Sequence, residues 1–228
     1  MTQSDEMSTK VPKIINKRGY AGRSAEQLAL ERRQRLMDTA LELFGTVGYV
    51  PTTVEKICSH AKVTTRHFYE HFRDREALLM AIFDTILQET RQQVLAEIIS
   101  SDLLLEQRFI GAVNAFLVSH LDDPRRAKIT TQEILGVSQR VEAHRNVLIT
   151  EFALLIEGYL AMLVAEGKLP VRNYRILAFG IVGAMHELQI AWLNQQVPQQ
   201  RDVLVAEIDF LMQTMIKGAA IMMTGNGI

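Results

Sequence analysis

The chain has 228 residues, 48% of them hydrophobic, so it can bury a substantial core in one or two domains. The longest uninterrupted apolar run, Ile176 to Met185, is much shorter than the ~20 residues that a membrane helix needs. The first 25 residues are polar and basic and lack the apolar stretch of a secretory signal. A disordered chain is therefore excluded, and we predict a cytoplasmic protein with no membrane association.

Charge is distributed unevenly along the chain, although the net charge is only −1. Residues 1–75 contain 13 Lys+Arg and 9 Asp+Glu, a balance of +4, whereas the remainder contains 12 and 17, a balance of −5. A basic N-terminal segment joined to an acidic remainder is typical of a protein with one module that faces a polyanion. A solvated charged tail is the alternative. The single cysteine, Cys58, rules out an internal disulfide.

The spacing of apolar residues and the capping signals predict helices throughout and no strand of useful length. The predicted helices span residues 24–47, 53–60, 65–72, 75–98, 103–121, 125–139, 141–166, 172–195 and 200–223. We therefore predict an all-α protein.

The second and third predicted helices form a helix-turn-helix, which offers the start of its second helix to the DNA major groove. Thr52 and Glu55 form a capping-box pattern before the first of these helices, and Thr64 is a good N-cap for the next. If Val63, Phe68 and Phe72 pack inward, the other side chains of the third helix point outward.

The outward side chains divide into two predicted groups. Thr65, Arg66 and His67 are predicted to read base edges, with Arg66 donating two hydrogen bonds to a guanine. The predicted phosphate contacts are Thr52, Thr53, Thr64, Tyr69, His71 and Arg75. The alternative is structural: Thr64 would only cap a helix, and Tyr69 and His71 would only cover a core.

The run from Arg33 to Asp84 resembles the N-terminal domain of the TetR family of bacterial regulators. The matching residues are Ala40, Phe44, Gly48, Tyr49, Thr53, Ile57, Ala61, Val63, Thr64, Phe68, Tyr69, His71, Phe72, Arg75, Leu78 and Leu79. The resemblance implies an N-terminal three-helix helix-turn-helix DNA-binding domain and a larger helical ligand-binding and dimerisation domain, with a dimer built from the last two helices and a small-molecule pocket. It divides the chain into a flexible basic arm (1–23), the DNA-binding domain (24–73), a connecting helix (74–100) and the effector-binding and dimerisation domain (101–228). It also implies base contacts by Thr65, Arg66 and His67, and phosphate contacts by Thr53, Thr64, Tyr69 and Arg75.

Lys62 departs from the family pattern, because the family commonly has glycine at this position of the turn. The position is expected to need a positive φ, which would cost a lysine on the order of 1 kcal/mol. The basic arm is a second feature to weigh. Lys17, Arg18 and Arg23 could enter the minor groove or follow the DNA backbone, as in several family members, or belong to a disordered tail.

A pocket between helices should be mostly apolar with a few polar groups. The candidate ligand-binding residues are Phe109, Asn114, Phe116, Glu133, Phe152, Tyr159, Met185, His186, Gln189 and Trp192. His186 stands out because it ends the longest apolar run, although a lone histidine on an apolar helix is more often a hydrogen-bonded core or interface residue. The last two helices carry more apolar surface than one core needs, which predicts a homodimer with a two-fold four-helix interface.

Two other classes of protein were weighed against a DNA-binding regulator. A di-iron enzyme would need Glu three residues before a His, which none of the six histidines has. His186 and Glu187 begin a zinc-protease pattern, but Ile190 occupies the second histidine position. An architectural DNA-binding protein without a ligand remains open. We predict a sequence-specific regulator without cofactor or metal, a repressor that an unknown small molecule releases from a palindromic double-stranded operator.

Overall fold

The computed structural model describes residues 24–100 and 103–221. These residues form α-helices without strands, which confirms the predicted all-α fold. The helices are α1 (Ala25–Thr46), α2 (Val54–Ala61), α3 (Thr65–His71), α4 (Arg75–Ile99), α5 (Leu105–Leu121), α6 (Pro124–Lys128), α7 (Gln139–Ala165), α8 (Arg175–Leu193) and α9 (Arg201–Ile221). The arm residues Lys17, Arg18 and Arg23 lie outside the described residues, and the division into domains stays a prediction.

The predicted helix over residues 125–139 was wrong in its second half. Helix α6 passes directly into a π-helical turn, Ile129–Glu133, and the chain then bends at Gly136, which has a φ of 68°. Ser138 caps α7, since its side chain accepts a hydrogen bond from the backbone N–H of Val141 at 3.3 Å. The glycine and the serine cap together end one helix and begin the next.

Hydrogen-bonding side chains also begin the helices of the helix-turn-helix. Thr53, not Thr52, caps α2, and its Oγ1 accepts from the N–H of Lys56 at 3.2 Å. Thr64 caps α3 through the N–H of His67, and Asp74 caps α4 through the N–H of Ala77. Each cap satisfies a donor that the helix start leaves unpaired.

Two hydrophobic clusters organise the described part of the chain. The first packs α1 to α4 around side chains such as Phe44 and Phe68, and it also includes Ile129, Ile134 and Val141 from the second half of the sequence. The other cluster is built mainly from α5, α7, α8 and α9. The π-helical turn therefore packs in the same core as α1 to α4. It does so although it lies far along the chain, more than 45 residues after Phe72 at the end of α3.

Helices α7 and α8 are long and apolar enough to cross a membrane, judged by length and composition alone. This is weak support for a membrane protein, because core helices of soluble proteins pass the same test. Both helices also carry polar side chains, Arg145 and Gln189 among them, on the face that lines an internal cavity.

Candidate DNA interface and effector pocket

Helix α3 presents the predicted base-reading side chains on an open surface. Thr65 and Arg66 are exposed, with 89% of the Arg66 side chain accessible, and His67 is partly buried. On the opposite face, Val63, Phe68 and Phe72 are buried in the first cluster, as the helical spacing predicts. The surface of α3 is thus held rigidly by its own buried face, which suits direct contact with base edges.

Two local contacts orient the outward side chains. The Arg66 Nε lies 3.5 Å from a carboxylate oxygen of Glu70, one helical turn away. The Nδ1 of His67 lies 2.9 Å from the Oγ1 of Thr64. An exposed ion pair contributes little to stability, so Arg66 can exchange Glu70 for another partner at small cost.

The turn between α2 and α3 has the conformation that the sequence predicts. Lys62 adopts a φ of 54° and a ψ of 43°, and its N–H donates to the carbonyl of Cys58. A residue with a Cβ is strained in this left-handed region by on the order of 1 kcal/mol. The exposed ammonium of Lys62 adds positive charge beside the start of α3.

Three of the predicted phosphate contacts lie on the surface. Thr53 and Thr64 are exposed at the starts of α2 and α3, and Tyr69 is 57% exposed. Helix starts with exposed N–H groups and hydroxyls are suited to bind phosphate oxygens. Contact of these residues with DNA stays a prediction.

Thr52 is corrected by the structure. It is fully buried, and its hydroxyl donates to the carbonyl of Gly48 at 2.7 Å, so it is not available to a phosphate. His71 is partly buried, and its Nε2 is buried without a partner. Burial, followed by the charges of Arg32 and Arg33, lowers the pKa of His71 and so favours the neutral ring. Contact of His71 with a phosphate stays a prediction.

Arg75 is also corrected, because its guanidinium faces inward. Its Nη1 donates to the carbonyls of Tyr49, Val50 and Thr52. The same group lies over the ring of Tyr49, 4.1 Å from the centroid. Arg75 therefore holds the turn between α1 and α2 in place, where the sequence predicted a phosphate contact.

An apolar cavity of about 130 Å³ lies between α4, α5, α7, α8 and the π-helical turn. Seven of the ten predicted ligand-binding residues line it: Phe109, Phe116, Phe152, Tyr159, Met185, His186 and Gln189. A mostly apolar lining with a few polar groups is typical of a small-molecule site. Binding of an effector to these residues stays a prediction.

Three predicted pocket residues lie elsewhere. Asn114 faces a shallow groove between α5 and α9, and Trp192 packs against the second cluster. Glu133 contacts the N-terminal domain. Sequence reasoning also missed four polar residues of the cavity wall: His120, Thr130, Thr131 and Arg145. The only sequence feature that could have pointed to His120 is its run of apolar neighbours. Arg145 stands in a charged segment, and no sequence feature pointed to its place in the cavity wall.

The two histidines of the cavity wall are kept neutral by burial. His120 stacks on Phe116, and its Nδ1 donates to the carbonyl of that residue at 3.0 Å. Burial lowers the pKa of His120 to about 4, against the lesser effect of this hydrogen bond. Burial, and then the charge of Arg145, also lowers the pKa of His186.

The depressed pKa of His120 predicts an acid-sensitive fold. The unfolded chain binds a proton with the ordinary pKa of 6.5, so it binds more protons than the folded protein between pH 6.5 and about 4. Lowering the pH through this window should therefore destabilise the protein, by about 3 kcal/mol in all. Urea denaturation at pH 7 and pH 5 measures the change. His120→Gln should flatten this dependence, and an equally steep loss in that variant would contradict the assignment.

Glu133 connects the π-helical turn to the DNA-binding domain. Its Oε2 accepts from the backbone N–H of Tyr49 at 2.7 Å, and its Oε1 lies 3.4 Å from the Lys128 ammonium. Thr130 and Thr131, from the same turn, line the cavity. The turn therefore contacts the cavity on one side and the α1–α2 turn on the other.

Ion pairs and a close backbone approach also join α6 and α7 to the helices of the N-terminal domain. Arg125 pairs with Glu42 of α1, and Arg140 pairs with Asp74 and Glu76 at 2.8 Å each. Burial raises the pKa of Asp74, but the hydrogen bonds from Arg140 and a backbone N–H outweigh it and hold the pKa at about 2. A Cβ at Gly45 would overlap the Cβ of Arg125, so only glycine lets α1 and α6 approach this closely.

Within the part of the chain that the structure describes, no group of three or more His, Cys, Asp or Glu side chains is placed to hold a metal ion. Cys58 is a free thiol and is buried.

Comparison with known proteins gives matches along most of the chain. The model of the family described as bacterial regulatory proteins, tetR family, matches residues 36–82. HbdR, an HTH-type transcriptional regulator of Aromatoleum sp. (strain CIB), is 28% identical over 164 residues, which cover 70% of this chain and 69% of HbdR.

Solved structures with the same fold include two regulators named FadR. FadR from Bacillus halodurans, a fatty acid degradation regulator, has a TM-score of 0.73 and 19% identity, and the match covers 82% of this chain and 95% of that one. FadR from Bacillus subtilis in complex with stearoyl-CoA has a TM-score of 0.69 and 20% identity, with 81% and 98% covered.

The helix-turn-helix and the matches that contain it define a DNA-binding transcriptional regulator. The relatives are regulators and not enzymes, so the enzyme alternative is not supported. The N-terminal segment is of the TetR family of bacterial regulators, as the resemblance of residues 33–84 implies, since the family model matches residues 36–82.

Proposed function

We propose that the protein is a homodimeric repressor that binds a palindromic operator and leaves it when a small molecule fills the cavity. The π-helical turn carries this proposal, since two of its five residues, Thr130 and Thr131, line the cavity and a third, Glu133, holds the α1–α2 turn. A ligand that reshapes the cavity wall would shift this turn and, with it, the DNA-binding domain. The stearoyl-CoA complex of FadR from Bacillus subtilis, a protein of the same fold, supports a ligand-binding role for the larger domain.

The dimer is inferred from the surface of α8 and α9. Phe179, Phe210 and Leu211 are exposed there, and exposed Gly180 and Gly183 on α8 allow a second helix to approach closely. A large exposed apolar face on a soluble protein marks an interface. A two-fold axis through this face would present two α3 helices to successive major grooves, about 34–36 Å apart.

DNA reading is assigned to Arg66, Thr65 and His67 on the open face of α3. Arg66→Ala is expected to relax the preference at one base position of each half-site, at a cost of about 1–3 kcal/mol for the preferred guanine. Selecting binding sites from a random DNA pool with wild type and variant, followed by sequencing, measures this. The wild-type protein should select a palindrome, and a pool without one would contradict the proposed function.

Glu70→Gln is the matched variant with the opposite expected sign. It removes a negative charge near the DNA and frees Arg66 from its ion pair, so affinity for all sequences should rise a few-fold. Fluorescence anisotropy with operator and scrambled DNA at two salt concentrations distinguishes the two effects. Uniform loss of affinity in Arg66→Ala, on every sequence, would reassign Arg66 to phosphate contact.

Glu133→Ala tests the connection between the two domains. Loss of the hydrogen bond from Glu133 to the Tyr49 N–H should make hydrogen exchange around Tyr49 about tenfold faster or more, since a bond to a charged group is worth about 1.5–3 kcal/mol. Operator affinity should fall in parallel, because the start of α2 loses its support. Hydrogen–deuterium exchange with mass spectrometry measures the first effect.

Glu142→Ala is the control for this test. Glu142 also accepts a hydrogen bond from a backbone N–H, that of Gly136 at 2.8 Å, but within the larger domain. Its loss should speed exchange near Gly136 and leave the Tyr49 segment and operator affinity unchanged. If Glu142→Ala weakened operator binding as much as Glu133→Ala, the Glu133 contact would not be the specific connection.

A further inference from the structure

Arg145 is a positively charged residue in the wall of an otherwise apolar cavity. It comes from α7 and lies among aromatic and aliphatic side chains of α4, α5 and α8. Its Nε is buried without a hydrogen-bond partner, and its Nη2 has only the Nε2 of His186 nearby, at 3.5 Å. No salt bridge joins Arg145 to a carboxylate among the described residues. Arg145 as a whole is partly buried, and a guanidinium withdrawn even in part from water without a counter-ion favours a ligand that supplies one.

The composition of the cavity wall around Arg145 favours an anionic ligand. The lining residues of the cavity include no Asp or Glu. The other titratable groups in the wall are His120, His186 and Tyr159, and burial disfavours the charged form of both histidines. Glu187 follows His186 on α8 but is exposed and is not part of the wall. Arg145 is therefore the sole fixed charge of the described cavity wall.

Gln189 provides a second unsatisfied polar group in the same wall. It is only 4% exposed, and its Nε2 donates to the carbonyl of Met185 at 3.1 Å. Its Oε1 is buried and has no partner. His186 and Gln189 lie three residues apart on α8, on the face that lines the cavity. Polar groups are thus concentrated on this wall, whereas α4 contributes only apolar side chains to the cavity.

We propose that the effector is an apolar carboxylic acid, bound with its carboxylate on Arg145 and its hydrocarbon body between α4, α5 and α7. This deepens the proposed function by naming the chemical class of the ligand, and it rests on that function only for the effect on DNA. The planar guanidinium can donate two parallel hydrogen bonds to a carboxylate. Phe109, Phe152 and Ile156 are among the apolar side chains that would bury the hydrocarbon.

Dodecanoate and dodecanol form a matched pair of probes, since they differ only at the head group. Isothermal titration calorimetry of the DNA-free protein should give tighter binding for dodecanoate than for dodecanol. Arg145→Gln should weaken dodecanoate binding by about tenfold to a hundredfold and leave dodecanol binding within about twofold. Arg91→Gln is the control, because Arg91 pairs with Glu151 on the surface, away from the cavity wall.

Arg145→Met keeps an unbranched apolar stem as far as the position of Nε, removes the charge, and serves as a second variant if Arg145→Gln fails to fold. Equal binding of acid and alcohol to the wild-type protein, or an undiminished preference for the acid in the variants, would overturn the proposal. Dodecanoyl-CoA is a third probe. Arg145-dependent binding of the thioester without binding of the free acid would also overturn it.

The calorimetry tests the carboxylate site and the operator assay tests the proposed function, so either proposal can be contradicted without the other. If dodecanoate binds through Arg145 but the protein selects no palindrome, the carboxylate site stands and the proposed function fails. If the protein selects a palindrome but binds neither acid nor alcohol, the proposed function stands and the carboxylate site fails. Release of operator DNA by dodecanoate in wild type, at a concentration that leaves Arg145→Gln bound to DNA, would support both.

Discussion

Arg75→Ala is expected to lower the free energy of unfolding by about 2–3 kcal/mol, because Arg75 supports the turn between α1 and α2. The variant loses hydrogen bonds from a charged group to the carbonyls of Tyr49, Val50 and Thr52. It also loses the cation–π contact with the ring of Tyr49, worth about 0.5–2 kcal/mol. The start of α2 would then be held only by its own cap and by Glu133.

Arg73→Ala provides the comparison, since Arg73 is a neighbouring arginine with 79% of its side chain exposed. Its ion pair with Asp74, at 3.1 Å, should contribute at most a few tenths of a kcal/mol. Urea denaturation of both variants separates the two roles of Arg75. Unchanged stability in Arg75→Ala, with weaker binding to every DNA sequence, would restore the phosphate contact that the sequence predicted.

Lys62, Thr52 and Thr53 show which local conformations and caps can be predicted from the neighbouring sequence and which cannot. Lys62 could be assigned a positive φ because the family that the segment resembles commonly has glycine at this position of the turn, and the structure confirms it. Thr52 and Thr53 are both plausible caps, and the sequence chose the wrong one. Which hydroxyl faces the helix depends on where the chain leaves Gly48, and that is fixed by contacts with α6 and the π-helical turn.

The cavity illustrates the limit for residues far apart in sequence. Aromatic and apolar side chains such as Phe109 and Tyr159 could be predicted because they sit on the apolar faces of their helices. Arg145 could not, because it follows His144 in a charged segment and its orientation depends on how α7 packs against α8. Glu133 was predicted as one of the few polar groups of the pocket, but the π-helical turn directs it to the opposite side, toward Tyr49.

Phe210→Glu is expected to disrupt the proposed dimer and to lower operator affinity by about a hundredfold or more. Phe210 is 69% exposed on α9, so a charge there should leave the fold of the single chain intact. In the dimer it would place two carboxylates in an apolar interface, where their desolvation is not compensated. Each α3 would then bind a half-site alone, without the high effective concentration that joining two binding units provides.

Val171→Glu is the matched control, because Val171 is also apolar and is 91% exposed, but it lies in the loop before α8. Analytical ultracentrifugation should find Phe210→Glu as a monomer and Val171→Glu as a dimer like wild type. A dimer that persists in Phe210→Glu would move the interface away from this face of α9. A monomer that still binds the full operator as tightly as wild type would mean that the two half-sites are read independently, and the two-fold geometry proposed for α3 would be wrong.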